Sequence, residues 1–411
     1  MSLPRTAFLS LWFPKPSETF VFREVTGLIE RGLPLSVFTL YGELTRGLSP
    51  EMAAYSDQVE RLGLPYLAGA AGEVLYWHKR RPALVRRLWG EVPFRRWSSL
   101  EQAGENLWAF LCGFRLARRF EEERMGHIHA AWAGGPATAA WVAARLSGLP
   151  FSFSARAGDI HPPDGALIEK IRDCAYVRAN NKANLAYLQG LAGQYGPKIK
   201  MVYNPLSLAP RPPAPVKRQP PYRLLALGRF ARTKGYDVLL KACGRLKDQG
   251  LNFRLTLAGE GPWGRRLKSL ARRLKIEERV EFPGFIRHDR VSELMAGADL
   301  FIMPSVVHQK TGDKDGIPNV IMEALIHRLP VVASDVSGIG EVIRQGETGR
   351  LVPPQDSQAL AQAIEEEMAD RARSLAMAEQ GRELVLARFD PKRNTEALLN
   401  LIIEHALEPE R

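Results

Sequence analysis

Two basic side chains and two carboxylates in the second half of the chain have the types and spacing needed to hold a phosphorylated sugar. Arg229 and Lys234 follow a short apolar segment, and Asp315 and Glu323 stand eight residues apart around a predicted helix. Eight residues is close to two turns of an α-helix, so both carboxylates can face one side of it. One carboxylate would hold sugar hydroxyls and the other ribose hydroxyls, while the two cations meet phosphate.

The backbone after Asp315 also favours an anion, because it leads directly into the start of the predicted helix. Unsatisfied N–H groups and the helix dipole attract negative charge at such a position. Glycines after other predicted strands let a ligand approach the backbone closely. Together these features predict a diphosphate site. The candidate donor-binding residues, which follow predicted strands or begin this helix, are Gly228, Gly259, Glu260, Gly261, Gly284, Phe285, Ser305, Gly316, Ile317, Pro318, Asn319, Val320 and Glu323.

The elements that must position these residues alternate between strands and helices. The first half shows this pattern less clearly than the second, beginning with a strand at 7–11 and a helix at 20–31. Strands separated by helices at this rhythm predict parallel sheets, with ligands at the carboxyl ends of the strands. The predicted fold class is therefore α/β, with two doubly wound Rossmann-like domains facing each other across a cleft. In the second half, apolar runs predict strands at 223–227, 253–257, 280–282, 300–303 and 330–333.

A proline-rich stretch divides the chain into two nearly equal parts. Such segments form stiff, extended spacers. We expect an N-terminal domain at 1–205, a linker at 206–221 and a C-terminal domain at 222–385. Residues 386–411 are predicted to contain a C-terminal helix that packs back toward the N-terminal domain.

The composition is that of a globular protein with anionic partners. The chain has 411 residues, of which 45% are hydrophobic, and a formal net charge of +12. Its three cysteines form no CxxC pair, which argues against a disulfide framework or structural zinc and favours a reducing cytoplasm. No apolar run reaches the roughly 18 residues of a membrane span. The apolar residues 7–13 predict a first strand rather than a signal peptide.

Half of the excess charge lies in the segment 73–120, where ten basic residues face four acidic ones. Tyr76, Trp77 and Trp89 are among the aromatic residues interleaved with them. This pattern suits an anionic membrane surface, and it also suits RNA or a solvated basic face whose aromatic residues pack inward. Because no RNP, KH or zinc-finger pattern is present, we expect no nucleic-acid partner.

These motifs, in this order, resemble those of the retaining glycosyltransferases of family 4 (glycosyltransferase group 1), which have the GT-B architecture. The family motif E-G-x-P-x-x-x-x-E corresponds here to Asp315-Gly-Ile-Pro-Asn-Val-Ile-Met-Glu323, with aspartate for the first glutamate. The family's phosphate-binding arginine and lysine match Arg229 and Lys234, and its glycine-rich strand end matches 259–262. The resemblance implies that Arg229, Lys234 and Asp315 are catalytic.

The resemblance also implies the reaction and its partners. The C-terminal domain would bind a nucleotide diphosphate sugar, expected to be a UDP-sugar, and the N-terminal domain a saccharide or lipid-linked saccharide acceptor in cell-surface polysaccharide synthesis. In a front-face displacement, the leaving diphosphate helps to deprotonate the acceptor while fixed cations stabilise the developing charge. No metal and no other cofactor are then expected.

The first half carries similarities to exopolysaccharide transferases related to colanic acid synthesis. The segment Ser17-Glu18-Thr19-Phe20 is similar to their S-E-T-F motif, and further similarities lie around His129 and Asp159. Where their A-H-A-x-D-I motif has histidine, this chain has Arg156. Arg156 could point away, with His161 filling the space, mark lost activity, or select an anionic group by bidentate pairing. The candidate acceptor or sugar residues are Ser17, Glu18, Thr19, His129, Arg156 and Asp159.

Other interpretations of the sequence remain open at this point. Asp313-Lys314-Asp315 mimics the DxD metal motif of another glycosyltransferase fold. A nucleotide-sugar epimerase or a phosphorylase would use similar phosphate contacts on the same fold. The net charge permits a nucleic-acid-binding protein, and Arg156 permits a non-catalytic homologue of a transferase.

Overall fold

Parallel strands separated by helices run through both halves of the computed structural model. The structure describes residues 3–44, 47–95, 97, 99–161, 165–206 and 219–407. The chain divides into two units: unit 1 contains Met1–Pro205 and Pro391–Arg411, and unit 2 contains Leu206–Asp390. Most of the predicted linker 206–221 lies outside the described residues.

Unit 1 is built around a sheet of seven parallel strands. Its order is β3-β2-β1-β4-β5-β6-β7, so the direction of winding reverses between β1 and β4. The strands are β1 (Thr6–Ser10), β2 (Leu35–Thr39), β3 (Val59–Arg61), β4 (His127–Ala130), β5 (Phe151–Ala155), β6 (Tyr176–Ala179) and β7 (Ile199–Met201). The helices are α1 (Thr19–Glu30), α2 (Pro50–Ala54), α3 (Leu67–Arg80), α4 (Pro82–Glu91), α5 (Leu100–Glu122), α6 (Gly135–Ser147), α7 (Ala157–Ile160), α8 (Leu167–Asp173) and α9 (Lys182–Ala192).

Unit 2 has a second doubly wound sheet, of six parallel strands. Its order is β10-β9-β8-β11-β12-β13, with the reversal between β8 and β11. The strands are β8 (Tyr222–Leu227), β9 (Phe253–Ala258), β10 (Val280–Glu281), β11 (Leu300–Met303), β12 (Val331–Ser334) and β13 (Arg350–Val352). The helices are α10 (Tyr236–Asp248), α11 (Gly264–Arg273), α12 (His288–Gly297), α13 (Asn319–Ile326), α14 (Ser357–Ala369) and α15 (Arg371–Arg388).

The last helix, α16 (Pro391–His405), belongs to unit 1 although it follows unit 2 in sequence. It packs against α1, and Leu398 and Ile402 are buried together with Leu28 and Tyr176. A Cβ on Gly27 would lie 3.1 Å from the side chain of Thr395, so the two helices approach each other closely.

The two parallel sheets confirm the predicted α/β class with two doubly wound domains. Central strands such as β11 are buried along their whole length, because helices cover both faces of a parallel sheet. Helices α14 and α15 are separate, because the side chain of Asp370 between them accepts a hydrogen bond from the backbone N–H of Arg373 and caps α15.

The basic segment 73–120 spans helices α3 to α5 in unit 1. Trp77 is fully buried and donates a hydrogen bond from Nε1 to the carbonyl of Phe114 at 2.8 Å. Trp89 and Trp97 pack against the same core, so these three aromatic residues face inward. Phe94 and Leu100, in contrast, are 81% and 92% exposed. Every helix in the described part of the chain is too short or too polar to cross a bilayer.

Candidate active site

The candidate donor site lies at the topological switch point of unit 2. In open α/β sheets, ligands bind outside the carboxyl ends of the strands where the winding reverses. Here Gly228 directly follows β8, and Ser305 follows β11 by two residues. Adjacent parallel strands bring these positions to the same edge of the sheet, because β8 and β11 are hydrogen-bonded neighbours.

Three of the predicted residues form one contact cluster at this edge. Lys234 Nζ lies 2.8 Å from Asp315 Oδ1, and the Ser305 hydroxyl donates to Asp315 Oδ2 at 2.6 Å. The side chains of Lys234 and Asp315 are only 17% and 15% exposed. Both oxygens of Asp315 are therefore engaged, and an incoming phosphate would compete with this carboxylate for the lysine ammonium.

Arg229 is exposed at the same edge, and it forms no ion pair with the other residues that the structure describes. Burial, followed by the Asp315 carboxylate, raises the pKa of Asp313 above its ordinary value. The charge of Arg229 partly opposes this rise. The guanidinium is thus available to a ligand phosphate. Among the described residues, no three histidine, cysteine or carboxylate side chains are grouped in a way that could hold a metal ion.

Two glycines let the loops at this edge pack directly on one another. Gly259 has φ +137°, and a Cβ there would lie 2.0 Å from the carbonyl oxygen of Gly228. Gly235, which the sequence analysis did not include, has φ +62°, and its Cβ would lie 1.8 Å from the carbonyl oxygen of Pro304. A side chain at either position would separate the strand ends that form the site.

Glu260, Gly261, Gly284 and Phe285 lie at the ends of β9 and β10. Glu260 Oε1 accepts a hydrogen bond of 3.4 Å from the backbone N–H of Phe285, whose ring is 42% exposed. The backbone N–H of Gly259 donates to the carbonyl of Gly284 at 2.8 Å. This part of the predicted donor site is therefore a pair of connected loops with an exposed aromatic ring.

Helix α13 begins at Asn319, four residues after Asp315, so the prediction that both carboxylates share one helical face is wrong. Glu323 is in the helix and Asp315 is in the preceding loop, with Gly316, Ile317 and Pro318 between them. Pro318 provides no side-chain cap, which leaves the N–H groups of Asn319 and Val320 open to an anion.

Glu323 is largely buried, with 13% of its side chain exposed. Burial raises the pKa of Glu323 to about 7. The nearest basic group is His288 Nδ1, at 4.0 Å from Oε1. A carboxyl group in this state can exchange its proton for hydrogen bonds from ligand hydroxyls near neutral pH.

Tyr236 and Ser337 are polar residues of this edge that the prediction missed. The Tyr236 hydroxyl is buried without a hydrogen-bond partner, and a Cβ on Gly228 would lie 2.7 Å from it. Burial, followed by the charge of Asp315, raises the pKa of Tyr236. The Ser337 hydroxyl is also buried and unpartnered, on a residue with φ +53° after β12. Their only sequence signal is position, since each closely follows a residue or strand end of the predicted site.

In unit 1, the residues of the S-E-T-F segment lie at the start of α1. Ser17 is exposed, while Glu18 and Thr19 are half-buried. Glu18 accepts hydrogen bonds from the Trp132 indole at 3.0 Å and from Lys15 at 2.5 Å. Trp132 follows β4, so Glu18 connects the start of α1 to the switch point of this sheet.

Arg156 is buried inside unit 1, which argues against the alternative in which it selects an anionic ligand. Its Nη2 lies 3.0 Å from Glu24 Oε2, and its Nη1 donates to the carbonyl of Ala131. Its guanidinium also lies over the rings of Phe20 and Trp132. His161 does not replace it, because that ring is buried against Tyr187.

Glu24, which the sequence analysis missed, is the centre of a buried charge cluster. It is 1% exposed and pairs with Arg178 as well as with Arg156. Burial alone would raise the pKa of Glu24, but the guanidiniums of Arg178 and Arg156 hold it well below its ordinary value. The only signal in the sequence is a glutamate on the apolar face of α1.

His129 and Asp159 lie in the same region of unit 1 as Glu24 and Arg156. His129 is fully buried, with Nδ1 at 2.8 Å from the Ser152 hydroxyl, and burial lowers its pKa. It therefore does not contact an acceptor, contrary to the prediction. Asp159 accepts hydrogen bonds from the backbone N–H groups of Ala133 at 2.5 Å and Arg156 at 2.7 Å, and burial raises its pKa to about 7.

Comparison with known families gives a match in the second half of the chain. Residues 212–384 match the family model described as glycosyl transferases group 1. The putative colanic acid biosynthesis glycosyltransferase WcaL of Escherichia coli K12 is 28% identical over 88% of this chain and 89% of its own length. The amylovoran biosynthesis glycosyltransferase AmsK of Erwinia amylovora is 38% identical over 34% of each chain.

Solved structures of similar fold cover almost the whole chain. Anabaena Alr3699/HepE in complex with UDP superposes with a TM-score of 0.68 at 18% identity, covering 97% of this chain and 99% of that one. Sucrose-phosphate synthase from Thermosynechococcus elongatus superposes with a TM-score of 0.72 at 20% identity, covering 97% and 98%. These likenesses establish the GT-B fold.

Proposed function

Because residues 212–384 form a glycosyl transferases group 1 domain in a chain with the GT-B fold, we propose that this glycosyltransferase is a retaining enzyme of polysaccharide synthesis. It transfers a sugar from a UDP-sugar to a saccharide or lipid-linked saccharide. The observation that carries the proposal is the cluster of Lys234, Asp315 and Ser305 at the switch point of unit 2, with Arg229 exposed beside it.

The proposed mechanism is electrostatic. Donor binding replaces the Lys234–Asp315 contact with a contact between Lys234 and phosphate, and Arg229 meets the same diphosphate. Asp315, released from the ammonium, accepts hydrogen bonds from the donor sugar. As the glycosidic bond breaks, negative charge grows on the diphosphate, and the fixed cations with the N–H groups of Asn319 and Val320 stabilise it. The same diphosphate takes the proton of the acceptor hydroxyl on the face from which it leaves.

The relatives support the proposed donor and setting. HepE has been crystallised with UDP and with UDP-glucose, which supports a uridine nucleotide here. WcaL and AmsK are named for exopolysaccharide synthesis, which supports a growing saccharide as the acceptor. We place the reaction in the cytoplasm. We propose that it needs no metal and no other cofactor, because Arg229 and Lys234 supply positive charge at the phosphate-binding edge.

The test is hydrolysis of UDP-glucose and its transfer to an acceptor oligosaccharide, measured in excess EDTA. Activity should persist, and the product should keep the anomeric configuration of the donor. Lys234→Ala should lower kcat by about 10²–10³-fold if the ammonium acts like one oxyanion donor. Arg265→Ala, an exposed cation on α11 outside the site, serves as the control. Loss of activity in EDTA that manganese restores would instead support the metal-binding interpretation of Asp313 and Asp315.

We also propose that the segment 73–120 brings the enzyme to an anionic membrane surface. Lys79, Arg81 and Arg86 are exposed, and none of the three forms an ion pair with another described residue. Phe94 and Leu100 are the most exposed large apolar side chains of this segment. Cations beside exposed apolar side chains suit the interface of an anionic bilayer.

A further inference from the structure

Unit 2 contains a cavity of about 210 Å³ that includes none of the predicted donor-binding residues. It is lined from several separate segments: the turn before Lys234, the first two turns of α10, the start of α11 and the loops after β11 and β13. A space of this size accommodates a single sugar-sized ligand.

The charges around this cavity are unbalanced. Arg232, Lys241 and Arg266 line it, and Asp237 is the one carboxylate among the described residues that line it. Within the described part of the chain, none of the three cations lies within 4.0 Å of a carboxylate. Three cations without carboxylate partners around one small space attract an anion.

A second cavity, of about 670 Å³ between the sheet and α12, shows the contrast. Three of its four arginines have partners: Arg223 lies 3.9 Å from Asp299, and Arg290 lies 2.9 Å from Glu293. Arg279 donates a hydrogen bond to the carbonyl of Leu251 at 2.9 Å. Among the residues that the structure describes, most cations lining that cavity are therefore paired or hydrogen-bonded within the protein, with Arg254 as the exception, whereas none of the three in the smaller cavity has a carboxylate within 4.0 Å.

The smaller cavity also has features that suit a sugar ring. The Arg266 guanidinium lies 4.6 Å from the centre of the Trp263 ring, which holds its planar fork in a fixed orientation. Val306 and Val307 provide an apolar surface, and Val307 is 37% exposed. Gln355 adds an amide at the edge of the cavity. Its backbone has φ +67°, a conformation that residues other than glycine rarely adopt. Strained residues of this kind gather at ligand sites.

We propose that this cavity binds an anionic sugar. The carboxylate or phosphate of the sugar is held by Arg232, Lys241 and Arg266, and its apolar face lies on Val306 and Val307. The site differs from the donor site because the two share no lining residue. It goes beyond the proposed transfer reaction, and it gives the enzyme a means to hold an acidic saccharide apart from the donor nucleotide.

The experiment measures binding by calorimetry with the full chain and saturating UDP, so that the phosphate contacts of the donor site are already filled. The three probes are glucuronate, inorganic phosphate and glucose, which separate the sugar from the charge. We expect glucuronate to bind most tightly, phosphate more weakly, and glucose not measurably. Binding of glucuronate should weaken as the salt concentration rises, because exposed charges are screened.

The decisive variant is the triple substitution Arg232→Gln, Lys241→Gln and Arg266→Gln, which should weaken glucuronate binding by at least tenfold. The matched control removes the same charge from exposed positions of α11 outside the cavity, by Arg265→Gln, Arg272→Gln and Arg273→Gln. The control should bind glucuronate within twofold of the wild type. All three side chains of the decisive variant are partly or fully exposed, and its melting temperature checks that it folds.

The outcomes are distinct. Equal loss in both triple variants would show a general charge effect and overturn the site. Glucose binding as tightly as glucuronate would overturn the role of the cations, and phosphate binding as tightly would overturn the role of the sugar face. Failure of UDP itself to bind would count against the proposed function, whereas glucuronate binding that depends on the decisive variant would still support this cavity.

Discussion

Both oxygens of Asp315 have partners in the structure, Lys234 on one and Ser305 on the other. Asp315→Asn removes a negative charge about 3 Å from the ammonium, and UDP should then bind more tightly, by about fivefold or more, because roughly 1 kcal/mol of competition is lost. Transfer should nevertheless fall, since the donor sugar loses a charged hydrogen-bond acceptor. Titration of UDP and a kcat measurement check both parts.

The control for this prediction is Asp289→Asn, an aspartate paired with Arg287 on exposed α12. It removes the same charge without touching Lys234, so UDP affinity should stay unchanged. If Asp315→Asn weakens UDP binding, the carboxylate does not compete with phosphate, and the exchange of partners in the proposed mechanism is wrong.

Glu323 makes donor binding depend on pH. Burial raises its pKa to about 7, so the carboxylate form that accepts ribose hydroxyls becomes the main species only above that pH. UDP-glucose affinity should therefore be about tenfold lower at pH 6 than at pH 8, because each pH unit below the pKa lowers the ionised fraction about tenfold. Glu323→Gln should bind weakly at both pH values. An affinity that does not change with pH in the wild type would contradict this role.

The raised pKa of Glu323 also makes the free energy of unfolding depend on pH. Between the ordinary value of 4.5 and about 7, the folded protein keeps a proton on Glu323 that the unfolded chain has released. The free energy of unfolding therefore falls as pH rises through this window. A nucleotide that binds the protein with Glu323 ionised would offset that loss of stability.

Glu24 neutralises two arginines that are almost completely removed from solvent. Glu24→Gln leaves two buried guanidiniums without their carboxylate, so unfolding in urea should show a loss of about 3–5 kcal/mol. Glu51→Gln breaks an ion pair with Arg23 whose carboxylate is 51% exposed, and should cost no more than about 1 kcal/mol. Equal effects of the two substitutions would contradict the buried cluster.

At the scale of elements, close packing of loops depends on glycine. Gly235→Ala forces a side chain into a left-handed backbone, which costs about 1–2 kcal/mol, and onto the carbonyl oxygen of Pro304. We expect lower stability and weaker UDP binding, since the same turn carries Lys234. Gly190→Ala, inside helix α9 with nothing within 4 Å of the new methyl group, should be neutral or stabilising by up to about 1 kcal/mol.

The strands of unit 2 could be predicted because they are short apolar runs bounded by glycine or proline. The predicted 300–303 and the observed β11 coincide, and 253–257 differs from β9 by one residue. In unit 1, strands such as β4 are short and contain buried polar residues, here His127 and His129, so the apolar pattern is weak.

The candidate donor site could be predicted because its residues follow strands, and strand ends meet at one sheet edge. Pairing over long distances in sequence could not be predicted. Arg156 and Glu24 are 132 residues apart, and the sequence gives no sign that one neutralises the other. The substitution of arginine for histidine in the motif therefore suggested a ligand contact, whereas a buried carboxylate is its partner.

Across the whole molecule, which has a net charge of +12, some basic residues form ion pairs and others do not. Several arginines of 73–120 pair with glutamates, as Arg80 does with Glu121 and Arg87 with Glu91. The prediction of membrane association therefore rests on the unpaired cations. Changing Lys79, Arg81 and Arg86 to Glu should abolish sedimentation with vesicles that contain anionic lipid.

A matched variant with Arg265, Arg272 and Arg273 changed to Glu alters the net charge equally in unit 2 and should keep binding. Phe94→Ser should weaken binding without changing the charge, because an exposed ring is lost. Equal sedimentation with neutral vesicles, or equal effects of both charge reversals, would count against this surface.

Helix α16 completes unit 1 with residues that follow all of unit 2 in the chain. On the ribosome, α1 must therefore wait for its partner while the roughly 360 residues between Glu30 and Pro391 are made, which takes about 20–70 s at ordinary rates of synthesis. During that time the apolar surface around Leu28 and Tyr176 lacks Leu398 and Ile402. Loss of α16 would therefore damage unit 1 and leave unit 2, its neighbour in sequence, intact.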